Sequence, residues 1–113
     1  MSVAIFGHND FDTDNNSEKF EYTPVSGERS FTTLWHPAID QLKITRLANG
    51  IYLKKEELPE ILQDFRRIKQ WILENESIDE SDKVYMEGRI DWLIVELPAR
   101  WNKCPNTKTL WMG

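Results

Sequence analysis

The sequence predicts one domain of the α+β class: a small antiparallel sheet packed on one long amphipathic helix plus one or two shorter helices. First, apolar residues recur at helical spacing along Lys55–Asn75. Second, segments typical of strands precede this helix without βαβ alternation. Third, 40% of the 113 residues are apolar, which suffices for a single core.

The N-terminal part has the composition of short strands. Val3–Phe6 is an apolar run, and Lys19–Thr23 alternates aromatic with charged residues. Pro24–Arg29 contains Pro and Gly and predicts a turn, while Ser30–Trp35 is rich in residues that favour strands. The segments on either side of Gly27 could therefore pair as a hairpin.

The middle of the chain leads into the main helix. Pro37–Leu47 predicts a short helix that stops at Asn49-Gly50, and Ile51–Lys54 predicts a brief extended segment. Pro59 suits only the first turn of the following helix, because a first-turn residue has no intrahelical N–H partner to lose. The expected buried stripe of that helix is Leu58, Ile61, Leu62, Phe65, Ile68 and Ile72.

The C-terminal part is less regular in pattern. Glu74–Asp82 holds five acids and no base, which predicts a loop, and Lys83–Met86 resembles a strand. Gly88–Leu97 fits both a helix and a strand, and Pro98 is expected to end it. The aromatic residues of the tail Trp101–Gly113 predict that it docks on the body of the protein.

Composition narrows the classes of function. The net charge is −5, from 19 acids against 14 Lys and Arg, which argues against a nucleic-acid or anionic-membrane partner and fits a basic protein partner. Cys104 is the only cysteine, so no internal disulfide is possible and a reducing compartment is expected. No apolar run approaches the roughly 18 residues of a membrane span. These features predict a cytoplasmic protein.

Motifs for catalysis or metal binding are weak. Asp10, Asp12, Asp14, Glu18 and Glu21 match oxygen-ligand positions of a calcium loop, but predicted strands stand where that loop needs helices. We therefore predict no metal and no other cofactor. A small metal-assisted hydrolase that uses this acidic loop remains an alternative.

Nucleophilic chemistry is also poorly supported. Cys104 could act as a nucleophile with His8 or His36 as its base, but no local signature accompanies it. No catalytic residue is predicted, and we expect a non-enzymatic protein. A structural or accessory protein of a phage or mobile element is the other alternative.

The acidic cluster after the main helix is the best candidate for a contact surface. As a solvated loop it would only connect two elements, whereas as a binding rim it would attract and orient a basic protein partner. Trp residues are favoured interface anchors, so the tail is a second candidate region. The predicted partner-binding residues are Glu76, Asp79, Glu80, Asp82, Trp101 and Trp111.

Under half of the chain, from Gly50 to about Trp92, resembles the immunity protein 70 group, small bacterial immunity proteins of polymorphic-toxin systems. The resemblance implies a non-enzymatic cytoplasmic protein that binds and neutralises a cognate toxin, and it assigns no toxin-contacting residue. It is carried by Gly50-Ile51-Tyr52-Leu53, Glu56-Glu57-Leu58, Leu62, Phe65, Ile68, the acidic break and Val84-Tyr85.

Overall fold

The computed structural model describes residues 2–7, 20–47, 51–105 and 107–113. Four strands form one antiparallel sheet in the order β2-β1-β4-β3, so the last strand of the chain lies between the first and the third. This sheet and its helices confirm the α+β class. The strands are β1 (Ser2–Gly7), β2 (Thr23–Gly27), β3 (Ile51–Lys54) and β4 (Thr109–Met112).

The helices follow in two groups. A π-helical turn, Phe31–Trp35, joins α1 (Glu28–Ser30) to α2 (His36–Leu42), and Thr45–Leu47 adds a 3₁₀ turn. A second 3₁₀ turn, Lys55–Glu57, leads from β3 into the larger pair. That pair is an antiparallel hairpin whose helices, α3 (Leu58–Glu74) and α4 (Glu80–Asn102), pack against each other.

The predicted main helix is confirmed as α3. Ile61, Phe65, Ile68 and Ile72 are fully buried, and the helix begins at Leu58 with Pro59 in its first turn. These side chains belong to one cluster that also contains the inward-facing residues of the sheet. None of the helices in the described ranges combines the length and apolar character that a membrane crossing requires.

Two predictions for the region around Gly27 are wrong. Thr23–Gly27 is strand β2 rather than a turn, and it pairs with β1 instead of with Ser30–Trp35. Pro24 is tolerated because β2 is an edge strand and its partner β1 has an irregularity between Val3 and Ala4, where a missing N–H costs least.

The segment Ser30–Trp35 is helical and not a strand. Phe31, Leu34 and Trp35 are buried on one side of the run, and Trp35 packs edge-on against Phe65 of α3 at 6.0 Å. This tertiary packing overrides the strand preference of the local residues. Just before Pro37, which has no N–H, the backbone hydrogen bond spans five residues instead of four, since the His36 N–H donates to the Phe31 carbonyl.

Helix α2 covers most of the predicted Pro37–Leu47 helix. It ends at Lys43, which is left-handed with φ 55°. The Lys43 N–H donates to the Asp40 carbonyl and the Ile44 N–H to the Ile39 carbonyl, which closes the last turn. After Ile44, Thr45–Leu47 forms a separate 3₁₀ turn.

Two predictions after the main helix are wrong: Lys83–Met86 is helical and not a strand, and Pro98 lies inside α4 instead of ending it. Of the two alternatives for Gly88–Leu97, the structure has the helix. The acidic stretch is a loop only over residues 75–79, because Glu80 already starts α4. The tail docks on the body, as predicted, and it does so as the inner strand β4.

Two predictions lie outside the described residues. One is the acidic stretch of the calcium pattern, including Asp10, Asp12 and Asp14; the other is the Asn49-Gly50 stop signal. The predicted strand Val3–Phe6 is confirmed as part of β1, and the predicted extended segment Ile51–Lys54 is strand β3. The predicted strand Lys19–Thr23 is wrong over its described part, since only Thr23 belongs to a strand.

Candidate partner-binding groove

An open groove of about 480 Å³ lies where the α3–α4 hairpin meets α2. One wall is formed by the π-helical turn and α2, and the opposite wall by the end of α3, the connecting loop and the first turn of α4. We call this the acidic groove. Its lining residues are Thr33, Leu34, Pro37, Gln41, Trp71, Asn75, Ser77, Ile78, Asp79 and Asp82.

Hydrogen bonds hold the loop of the groove in shape. The Asn75 side-chain carbonyl accepts from the Ser77 N–H at 3.0 Å and from the Ser77 hydroxyl at 2.6 Å. The Ile78 N–H donates to the Asn75 backbone carbonyl at 3.2 Å, and Ile78 packs partly buried against the core. The loop is thus an Asx-type turn that presents Asp79 at the start of α4.

Four carboxylates lie in this loop or in the first turn of the helix that follows it. Asp79 and Asp82 line the groove, while Glu76 and Glu80 are exposed beside it. None of the four takes part in an ion pair within the described part of the chain. Glu80 and Asp82 also stand in the first turn of α4, where the helix dipole favours negative charge. The structure therefore brings together the four acids predicted as a contact surface.

The floor of the groove is partly apolar. Trp71 is half-buried at the end of α3, and Pro37 and Ile78 contribute further apolar surface. Trp71, Thr33 and Gln41 are not among the residues predicted for a site. Thr33 was missed because Ser30–Trp35 has the composition of a strand.

The two tryptophans predicted as partner contacts do not join the groove. Trp101 is fully buried, and its indole N–H donates to the Thr107 carbonyl at 2.7 Å. Trp101 thus serves the core and offers no surface to a partner, which corrects its assignment. Trp111 lies on β4, where its ring packs edge-on against Tyr52 at 4.7 Å.

Residues that could carry covalent or metal chemistry are dispersed. Cys104 is buried after α4, whereas His36 is exposed at the start of α2. In the ranges that the structure describes, no three His, Cys, Asp or Glu side chains are grouped to hold a metal ion. The acidic groove is the candidate binding surface considered below.

Comparisons with known proteins add no assignment: no family model, curated protein or solved structure matches this chain. The groove is therefore interpreted from its own geometry and charge. The resemblance of the segment from Gly50 to about Trp92 to immunity proteins stays a prediction.

Proposed function

We propose that this protein is a non-enzymatic binding module, a cytoplasmic immunity protein that neutralises a cognate toxin by binding and occluding it. The observation that supports the proposal most is the acidic groove, where Asp79 and Asp82 share the lining with Trp71 and Glu76 and Glu80 stand next to them in the chain. None of these four carboxylates forms an ion pair in the described structure. The predicted resemblance to the immunity protein 70 group implies the same function.

The groove combines the two features that a protein interface needs. Clustered charge of one sign raises the association rate and orients a partner of opposite charge. A tryptophan on an apolar floor supplies contact area that loses water on binding, which is typical of interface anchors. The partner that fits is a protein with a basic face and a protruding side chain that enters the groove.

Inhibition would follow from occlusion. A toxin that acts on a negatively charged substrate presents basic side chains at its active face. Glu76, Asp79, Glu80 and Asp82 would take the place of that substrate's charge and block access to the face. The inhibitor needs no catalytic residue for this.

The first experiment identifies the partner. Tagged protein is used to capture binding proteins from the native host, and the captured candidate is expressed alone and together with this protein. We expect a basic protein that arrests growth alone and is harmless in the presence of this protein. A neighbouring toxin gene would provide the same candidate.

The second experiment tests the groove. The four acids Glu76, Asp79, Glu80 and Asp82 are changed to Ser, which keeps a good N-cap residue at position 79. Glu76 and Asp79 are exposed and contribute little to folding, whereas Glu80 and Asp82 interact favourably with the α4 dipole. The free energy of unfolding should therefore fall by no more than about 1–2 kcal/mol. The association rate at low salt should fall about tenfold or more, and the difference should shrink as salt rises.

A matched control removes the same charge elsewhere. Glu56, Glu57, Glu60 and Glu87 lie outside the groove, and their change to Ser should alter the association rate much less. Equal rates for the two quadruple variants would show that only net charge matters. If neither the groove substitutions nor salt changes the association rate, the acidic groove is not the interface.

A further inference from the structure

The outer face of the sheet carries a row of aromatic side chains. Residues alternate across a strand, so the neighbours Leu53 and Leu110 point into the core while Tyr52 and Trp111 point outward. Trp111 is paired in register with Phe6 on one side and with Tyr52 on the other. Tyr22 extends the row, since its ring stacks on Phe6 at 6.3 Å.

The Tyr52 end of this row is open to solvent. Tyr52 remains 47% exposed although its ring contacts Trp111. Large apolar patches are rare on the surface of a soluble protein, and where they occur they often mark a binding site. A flat ring is the natural ligand for such a surface, because offset and edge-on ring contacts are favourable.

A lysine and a threonine lie directly beside these rings on the same face. Lys54 and Thr109 are paired in register, two positions along the same strands from Tyr52 and Trp111. Two strand positions correspond to about 7 Å. A ligand that contacts both pairs therefore has a flat ring at one end and a group that binds lysine and a hydroxyl at the other.

Lys54 and Thr109 also line a cavity of about 480 Å³. Lys54, Lys55 and Lys108 line it together with Thr109, and Glu56 is the one acid among its lining residues. The Lys55 ammonium donates to the carbonyls of Trp101 and Cys104 at the end of α4, at 3.4 and 3.3 Å. In the described parts of the chain neither Lys54 nor Lys108 forms an ion pair, so neither charge is neutralised by a carboxylate in contact with it.

We infer that this lysine cavity and the adjoining aromatic pair bind a nucleoside phosphate, with the base on Tyr52 and Trp111 and the phosphate between Lys54 and Lys108. Lysine binds phosphate as a point charge, and the Thr109 hydroxyl adds a donor. The cavity volume falls within the range of small-molecule sites. The inference goes beyond the proposed function and concerns the opposite end of the α3–α4 hairpin.

The net charge of −5 does not oppose this inference. Overall charge governs the binding of long polyanions, which contact a large area of a protein. One phosphate responds to the charges within about a Debye length, roughly 10 Å at 0.1 M salt. Three lysines and one acid line the cavity, so the net charge of its lining is positive although the protein is acidic.

The test is a calorimetric titration of the full chain with three probes: adenosine 5′-monophosphate, adenosine and inorganic phosphate. We expect the monophosphate to bind one to one and about tenfold or more tightly than either of the other probes, since it alone contacts both pairs. Affinity should fall as salt rises. Absence of saturable binding of the monophosphate at millimolar concentration would overturn the inference.

Variants separate the two halves of the site. Lys54→Gln combined with Lys108→Gln should weaken binding of the monophosphate about tenfold and leave adenosine unaffected. Tyr52→Phe should bind as the wild type does, whereas Tyr52→Ala should lose about five- to a hundredfold, the range of base–aromatic stacking. The charge-matched control is Arg29→Gln with Arg66→Gln, two exposed helical residues outside the cavity.

The same titration distinguishes two sources of the ligand. A 5′-phosphorylated single-stranded oligonucleotide that binds as the monophosphate does supports a site for free nucleotides. If the oligonucleotide binds more tightly than the monophosphate, and the Lys54 and Lys108 double variant loses this binding, the ligand is the phosphorylated end of a nucleic-acid strand. Equal affinities of wild type, lysine variant and arginine control would overturn the site, provided that their circular dichroism spectra agree.

Discussion

Helices α3 and α4 form one hairpin, yet they differ in what they expose. Both bury a stripe at helical spacing: Ile61, Phe65, Ile68 and Ile72 in α3, and Met86, Ile90, Leu93, Leu97 and Trp101 in α4. On the opposite side α3 is polar, whereas Val84, Tyr85 and Val95 of α4 are 63%, 44% and 64% exposed. The second helix therefore resembles the first only on its buried side.

The difference shows that the buried stripe, and not the polarity of the outer face, determines where a helix packs. Isolated apolar side chains on a surface are normal and cost little. A helix whose outer face is partly apolar still docks through the positions that lie against its neighbour. The two helices should consequently respond alike to changes in their stripes.

The largest effect is expected at the centre of α3. Phe65 is fully buried and contacts the Trp35 ring, so Phe65→Ala should lower the free energy of unfolding by about 3–5 kcal/mol. Arg66→Ala, at the exposed neighbouring position, should change it by less than about 0.5 kcal/mol. Denaturant unfolding measures both. Similar midpoints for the two variants would contradict the packing of α3.

The corresponding change in α4 tests whether the two helices depend equally on their buried stripes. Leu93 is fully buried, and Leu93→Ala should destabilise by about 2–5 kcal/mol. Val95→Ala, two positions further on the exposed side, should stay within about 0.5 kcal/mol. If the exposed valine proved as sensitive as the buried leucine, the outer face of α4 would itself have to be covered in solution.

The same contrast explains what the sequence could predict. In α3 the apolar positions stand against a polar background, so the helix is visible in the pattern. In α4 the stripe is equally regular, but Val84, Tyr85 and Val95 obscure it. Pro98 suggests an end that does not occur, because buried Leu97 and Trp101 hold the helix together around the missing N–H.

Long-range pairing limits prediction elsewhere. Strand β4 has only four residues, and its partners β1 and β3 are far away in the sequence, so local pattern carries little information about it. The acidic residues of the candidate groove were predictable from charge alone. Its opposite wall was not, because Thr33 and Gln41 reach it only when the preceding segment is helical.

The two helices also differ in buried charge: α3 buries the carboxylate of Asp64, whereas no carboxylate of α4 is buried. Burial raises the pKa of Asp64 above its ordinary value, and the cations of Arg46 and Arg67 offset this only in part. The Asp64 carboxylate lies 3.2 Å from the Arg46 guanidinium, but its Oδ2 accepts no hydrogen bond among the described residues. The folded state therefore holds the proton more strongly than the unfolded chain does.

The sign of the pH effect follows from this. A raised folded pKa gives a contribution that is complete below the unfolded pKa, near 3.8, and is lost as pH rises through the folded value. Relative to Asp64→Asn, the wild type should lose stability as pH rises above about 4. Thermal unfolding of both proteins from pH 3 to 7 measures the difference. A relative gain for the wild type would mean that its ion pairs outweigh burial.

The smallest effect is expected at the exposed bridge between the two helices. Lys69 of α3 and Asp91 of α4 form an ion pair at 2.7 Å, with the aspartate about half exposed. Such pairs contribute about 0–1 kcal/mol, because water screens the charges and holding the side chains costs entropy. Asp91→Asn should thus destabilise by less than about 1 kcal/mol, and high salt should abolish the difference. A loss as large as that of Leu93→Ala, or one that salt does not reduce, would show that this bridge and not the paired stripes holds the hairpin together.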